Sequence, residues 1–152
     1  MRIKIDTKER FQVITPLDPH LTARLAEDLQ EKLLSGLGND KAPDGGFSHL
    51  VLSLLEVQSV EESAASLVAN IQSKFYEQGY SFVICCMQKE VEKVFEKLEL
   101  LELMNITPTE SEAWDILQME EIERELLNNS ENWSPHFSMF SVTILGNNSA
   151  VP

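Results

Sequence analysis

The stretch SHLVLSLLEVQSVEESAASLV, residues 48–68, joins an apolar run to a helical pattern without a single glycine. Its first half is almost continuously hydrophobic, which is typical of a strand covered on both faces. After the acidic pair Glu61 and Glu62, hydrophobic residues recur on one helical face up to Gly79: Ala64, Leu67, Val68, Ile71 and Phe75. The stretch therefore predicts a buried strand that turns directly into an amphipathic helix.

The same strand-then-helix pattern follows once more along the chain. The segment YSFVICCM, residues 80–87, predicts a second buried strand, and a long helix is predicted from the spacing of Val91, Val94, Phe95, Leu98 and Leu101. Two such units in series favour parallel pairing with right-handed crossovers. A last helix is predicted after Thr109, which with Glu112 forms a capping box, and its face continues through Ile116, Met119, Ile122 and Leu126.

The N-terminal region has a different pattern. Met1, Ile3 and Ile5 alternate with polar residues, and RFQVIT, residues 10–15, follows as a second short strand, so an antiparallel hairpin is predicted. A helix comes next, with Asp18 as its cap, Pro19 in its first turn and a stripe of Leu21, Leu25, Leu29 and Leu33. A polar Gly/Pro loop at about 36–47 then ends it. The predicted fold class is α/β: a mixed sheet with an antiparallel start, parallel strand–helix units and helices packed on the sheet.

The charge of the chain is strongly one-sided. Its 152 residues, enough for one domain with a real core, carry a net charge of −13, of which −1 falls on residues 1–50 and −12 on residues 51–152. Nucleic acid is therefore not expected as a partner, nor is an anionic membrane surface. No apolar run suits a signal peptide or a membrane span, so we expect a cytoplasmic, acidic protein.

Catalytic motifs are not found in the sequence. His20, His49 and His136 are scattered, so neither a metal site nor a cofactor is predicted. Cys85 and Cys86 are adjacent in a strand, where neighbours point to opposite faces, so we expect them to be structural thiols that do not bridge each other. A thiol enzyme would require one of them to react rapidly in the folded protein. The prediction is that the chain is not an enzyme.

Four motifs in order resemble the STAS domain, the fold of bacterial anti-sigma factor antagonists and of the tails of sulphate transporters. The family pattern V-L-D-L-S-G-V-x-x-[IF]-D-S-[ST]-G aligns without a gap to VLSLLEVQSVEESA, residues 51–64. Its next strand and helix align to FVICCMQKEVEKVFEKLELL, its closing motif to TPTESEAWDIL, and the opening of its first helix to LDPHLTARLAEDL. The resemblance implies a STAS-like domain over residues 1–127, with the polar loop as an insertion.

In the antagonists, the D-S-[ST]-G turn carries a serine that a partner kinase phosphorylates. The resemblance places the family Asp on Glu61, the phosphorylated Ser on Glu62, the second hydroxyl on Ser63 and the Gly on Ala64. We therefore predict a partner-binding turn at 61–64, together with Asp18 from the first-helix motif. Three interpretations stay open: acids that only stabilise a helix start, a permanently unswitched turn, or Ser63 as a displaced phosphorylation site.

The resemblance implies a non-catalytic interaction module whose partner is a protein, such as a kinase-like anti-sigma factor or a related regulator. A small-ligand sensor that binds nucleotides or lipids, or a transporter-associated subunit, is the alternative. Residues 128–152 lie beyond the usual domain and form a C-terminal extension. Phe140, Val142 and Ile144 alternate there, which predicts an added strand at 137–145 that either extends the sheet or pairs with a second subunit as a homodimer.

Overall fold

A five-stranded mixed sheet forms the framework of the computed structural model, which describes residues 1–8, 10–38 and 46–129. The spatial order of its strands is β1-β2-β4-β6-β7, and only the β1–β2 pair is antiparallel. Their bounds are β1 Ile3–Thr7, β2 Gln12–Pro16, β4 Leu50–Ser53, β6 Phe82–Cys85 and β7 Ile106–Thr107. A separate pair of short parallel strands consists of β3 His20–Leu21 and β5 Ser59–Val60. The predicted hairpin and the two predicted buried strands are confirmed.

Four helices alternate with the strands: α1 Ala23–Gly36, α2 Glu62–Glu77, α3 Lys89–Lys97 and α4 Glu110–Asn129. Residues Met1–Glu120 form one compact unit, and the remainder of α4, from Glu121, belongs to a second unit. The predicted α/β class with an antiparallel start is confirmed. Among the described residues no helix has the length and apolar character needed to span a bilayer.

The strict alternation of side chains along β4 and β6 divides the core into two layers. Leu50 and Leu52 belong to a large cluster that includes buried residues of α1, α2 and α3, whereas Val51 and its neighbour Val83 belong to a smaller cluster with Ala113 and Leu117 of α4. All four residues of each of these strands are buried. Because successive strand residues point to opposite faces, one sheet face is covered by three helices and the other by the start of α4.

Three local predictions are wrong. The first helix is capped not by Asp18 but by Thr22, whose hydroxyl accepts the Leu25 N–H at 3.3 Å, because residues 20–21 pair with β5 instead of starting a helix. The helix α3 ends at Lys97 because Glu99 adopts a left-handed backbone conformation. In α4 the buried positions of the compact unit are Ala113 and Leu117, one turn apart, rather than the predicted stripe.

The N-cap half of the predicted capping box is confirmed: the Thr109 hydroxyl accepts the Glu112 N–H at 3.3 Å, and it also donates to the Glu112 carboxylate at 3.2 Å. The polar loop is described only at its two ends, where Gly38 N–H donates to the Phe47 carbonyl and Phe47 N–H to the Gly36 carbonyl, both at 2.7 Å. The predicted C-terminal strand at 137–145, and the homodimer through it, lie outside the described residues.

Candidate functional site

The turn at 61–64 is positioned by the small β3–β5 sheet. The Pro19 carbonyl accepts the N–H groups of Gln58 and Ser59, at 2.7 and 3.1 Å, and the Leu21 carbonyl accepts the Glu61 N–H at 3.0 Å. These bonds bring the chain before α1 alongside the chain before α2. As a result, two helix N-termini, each carrying partial positive charge, begin next to each other.

Glu61 stabilises the neighbouring helix rather than its own. It has the extended backbone of an N-cap residue, but its side chain makes no capping hydrogen bond to α2. Instead its Oε1 accepts the Ala23 N–H at 2.7 Å, at the start of α1. Since a helix leaves its first N–H groups without intrahelical partners, this carboxylate satisfies one of them and also faces the positive end of the helix dipole.

Glu62 occupies the first helical position of α2 and is exposed. Its Oε2 lies 2.6 Å from the Nζ of Lys97, at the end of α3. The hydrogen bond to Glu62, followed by its negative charge, raises the pKa of the Lys97 ammonium. The pair links the start of α2 to the end of α3 across the surface, and, because both side chains are more than half exposed, solvent screens it strongly.

Ser63 and Ala64 point in different directions. The Ser63 side chain is exposed, whereas Ala64 is fully buried in the core beside α2. Ala64 is not among the residues with positive φ, so this position of the helix does not require glycine. Of the predicted turn, Glu61, Glu62 and Ser63 are therefore accessible from outside, and Ala64 fixes how the helix packs.

Asp18 lies in the loop next to the turn, but its carboxylate is directed elsewhere. Its two oxygens accept hydrogen bonds from Arg2, from a guanidinium nitrogen at 3.3 Å and from the backbone N–H at 3.4 Å. The next side chain but one, His20 of β3, contacts β5: its Nδ1 lies 2.5 Å from the Ser59 hydroxyl. The fold thus brings the loop that contains Asp18 next to the turn, but the Asp18 side chain itself pairs with Arg2, just before β1.

The prediction that the cysteine side chains point apart is wrong. The Sγ atoms of Cys85 and Cys86 lie 3.3 Å from each other. Cys86 is the first residue after β6 and has φ 64°, so the alternation of a strand no longer applies to it. Among the described residues no group of three or more His, Cys, Asp or Glu side chains is arranged to hold a metal ion.

Two members of the site were not found in the sequence. Lys97 is 35 residues from Glu62, and Gln88, whose amide donates to the Leu55 carbonyl at 2.9 Å, holds the loop that leads to the turn. Neither has a local signal, because each lies on an exposed surface of α3 or just before it. The position of Lys97 in the helical pattern indicates an exposed residue. The same pattern is equally typical of a helix face that contacts only solvent.

The STAS domain family matches residues 2–113, which include every strand of the sheet and the complete turn. The chain belongs to the STAS domain family. STAS domains are typically non-catalytic regulatory modules. The four motifs that resembled the family correspond to β3 with α1, to β4 with the turn, to β6 with α3, and to β7 with the start of α4.

Solved structures share this fold at low sequence identity. A putative anti-sigma factor antagonist from Thermotoga maritima is 18% identical, covers 76% of this chain and 94% of its own, and has a TM-score of 0.62. The anti-sigma factor antagonist SpoIIAA in its unphosphorylated form is 17% identical, with coverages of 77% and 96% and a TM-score of 0.59. Moorella thermoacetica RsbS with a serine-to-glutamate substitution is 20% identical, with coverages of 82% and 99% and a TM-score of 0.59.

Proposed function

We propose that this STAS domain is a protein-interaction module that acts like an anti-sigma factor antagonist, with the exposed part of the turn at 61–64 and the adjacent surface of α2 as its partner face. We propose further that phosphorylation at the usual position does not switch it. The observation that carries this proposal is the Glu62 carboxylate, which lies at the exposed start of α2 where the family pattern has its phosphorylated serine.

A carboxylate at this position supplies part of what a phosphate would supply. It adds about one negative charge, compared with about −1.5 to −2 for phosphoserine, and it has fewer acceptor oxygens. The positive end of the α2 dipole and the Lys97 ammonium at 2.6 Å both favour that charge. The site is thus permanently acidic without a kinase.

Two neighbours provide context for this proposal. SpoIIAA, described as a Bacillus cell fate determinant, also has a solved structure in a phosphorylated form, with a TM-score of 0.53 to this chain. The RsbS structure carries glutamate in place of a serine. Both molecules have this fold; one is phosphorylated and the other has glutamate in place of a serine, so both support the proposal that added negative charge matters in it.

Ser63 is the remaining hydroxyl of the turn. It lies one residue further into α2, where its side chain is rotated by about 100° around the helix axis from that of Glu62. A kinase whose pocket fits the usual serine would therefore meet the Glu62 carboxylate first. On this basis Ser63 is not a substrate.

Phosphotransfer and partner capture test the proposal together. The tagged full-length chain is expressed in its own cell and isolated after mild cross-linking. We expect it to retain a protein with a kinase-type nucleotide-binding domain, and we expect no phosphate on tryptic peptides that contain Ser63. Glu62→Ser should create a phosphate acceptor for that partner and ATP, while Ser63→Ala should leave the phosphate content of the turn peptides unchanged.

Charge reversal at two ends of the same helix provides the matched control. Glu62→Lys removes the acidic group at the start of α2, and Glu77→Lys makes the same charge change at its last residue, which is also exposed. We expect partner retention to be lost in the first variant and kept in the second. Equal loss in both, or substantial phosphate on Ser63 in the wild type, would contradict the proposal.

A ligand-sensing function is the second candidate, and the groove between α2 and residues 100–105 gives it little support. Polar groups line it, but they already bond to one another. The Gln72 amide nitrogen donates to the Phe82 carbonyl at 2.7 Å, its oxygen accepts the Asn105 N–H at 3.1 Å, and the Asn105 amide donates to the Tyr76 hydroxyl at 2.5 Å. Groups engaged in this way are not available to orient a ligand unless these bonds break.

A further inference from the structure

The residue that follows β6 has an unusual backbone conformation. Cys86 has φ 64°, which is uncommon for a residue with a side chain, and its N–H donates to the Thr107 carbonyl at 3.3 Å. In an extended strand, the Cys86 side chain would point to the face opposite Cys85. The left-handed residue turns it back, so that the two Sγ atoms lie 3.3 Å apart.

The two thiols differ in their surroundings. Cys85 is fully buried in the layer between the sheet and α4, and Cys86 is half-buried. Burial, followed by the neighbouring Cys86 thiol, raises the pKa of the Cys85 thiol, and a hydrogen bond with Ser53 acts in the opposite direction. The pair therefore consists of one protected, neutral thiol and one thiol that a small reagent can approach from solvent.

The distance between the sulphur atoms suits a shared third atom better than a direct bond. A disulfide requires about 2.05 Å, and between adjacent residues it closes a strained ring. The 3.3 Å contact is a hydrogen bond between the two free thiols, with Cys86 as the donor. One atom that forms bonds of about 2.3 Å to each sulphur can bridge that distance.

We propose that Cys85 and Cys86 form a vicinal dithiol site that captures a trivalent, thiophilic metalloid of the arsenous type. In the step, a hydrated arsenical R–As(OH)₂ exchanges its two As–O bonds for two As–S bonds. Each thiol proton leaves with one hydroxide, so two water molecules are released. Neither sulphur nor arsenic changes oxidation state, and no additional oxidant or reductant takes part. This site is independent of the partner face proposed above.

Phenylarsine oxide is a suitable probe, with the full-length folded chain as the target. Intact mass spectrometry under native conditions should show one arsenical per chain, and a maleimide titration after unfolding in urea should find that both thiols are occupied. Excess ethanedithiol should remove the probe and restore both thiols. Cys85→Ser and Cys86→Ser each keep one thiol and should lose the stable adduct.

A second variant separates loss of the thiol from loss of the fold. Cys86→Asn removes the sulphur but keeps a residue type that tolerates positive φ, so the chain should fold, as judged by far-UV circular dichroism, and should not retain the probe. The proposal is overturned if the folded wild type forms no adduct, if it does so only in urea, or if either single-cysteine variant retains the probe equally well.

Discussion

Two helices of this domain end in the same hydrogen-bonded motif but with different residues at the left-handed position. After α2, Tyr80 N–H bonds to the Phe75 carbonyl at 2.9 Å, and Gly79 has φ 85°. After α3, Leu100 N–H bonds to the Phe95 carbonyl at 2.9 Å, and the equivalent position holds Glu99 with φ 59°. This is the Schellman arrangement, in which glycine is the usual residue.

Replacing Glu99 with glycine should therefore stabilise the protein. A left-handed conformation costs a residue with a side chain about 1–2 kcal/mol, and the greater freedom of glycine in the unfolded chain offsets about 0.5–1 kcal/mol of that. We expect Glu99→Gly to raise the free energy of unfolding by about 1 kcal/mol, which corresponds to a Tm increase of about 2–4 °C at this chain length.

The converse change at the other helix gives the matched test. Gly79→Ala should lower the free energy of unfolding by about 1 kcal/mol for the same backbone reason. No steric clash confuses the result, because a Cβ at Gly79 would meet nothing within 4 Å. Glu99→Gln controls for charge at a helix C-terminus, where an acid is unfavourable by about 0.3–1 kcal/mol, and it should recover only that part.

Urea unfolding followed by far-UV circular dichroism measures all three variants. The m-value should stay unchanged, because the buried surface does not change. The reasoning is refuted if Glu99→Gly fails to exceed Glu99→Gln in stability, or if Gly79→Ala is neutral.

Substitutions at three further positions test the site and its supports. Glu61→Ala removes the acceptor of the Ala23 N–H and should lower the free energy of unfolding by about 1 kcal/mol in chemical denaturation. Glu61→Gln should recover part of that free energy, and no loss in Glu61→Ala would mean that the cap is not formed. Burial, followed by the charge of Glu120, raises the pKa of the Tyr76 hydroxyl above its ordinary value near 10. The neutral hydroxyl therefore contributes to stability fully below about pH 10, and this contribution is lost as the pH rises further. Tyr76→Phe should flatten that alkaline decline in stability, and an unchanged decline would contradict the assignment. Gln72→Leu should lower stability by about 1–3 kcal/mol, because it leaves buried backbone groups of β6 and the chain before β7 without partners, and a neutral result would show that the interior repacks around it.

The amino-acid sequence alone determined the order and type of the main elements. A short continuous apolar run indicates a strand that is buried on both faces, and hydrophobic residues three or four positions apart indicate one buried helix face. The strands β4 and β6 and the buried face of α2 could therefore be predicted from residues within one segment. The Thr109 box was equally local, since its partners are three residues apart. The family motifs supplied what spacing could not, namely the meaning of the turn at 61–64.

Only the tertiary structure decided which groups meet at the site. The Glu61 side chain caps α1 because β3–β5 pairing places two helix starts side by side, and Lys97 reaches Glu62 because α3 packs beside α2. Position 86 is not a glycine, so the sequence does not indicate the left-handed backbone that brings the two sulphur atoms together. Hydrophobic periodicity records burial along one element, whereas contacts between elements and single backbone rotations depend on how the whole chain packs.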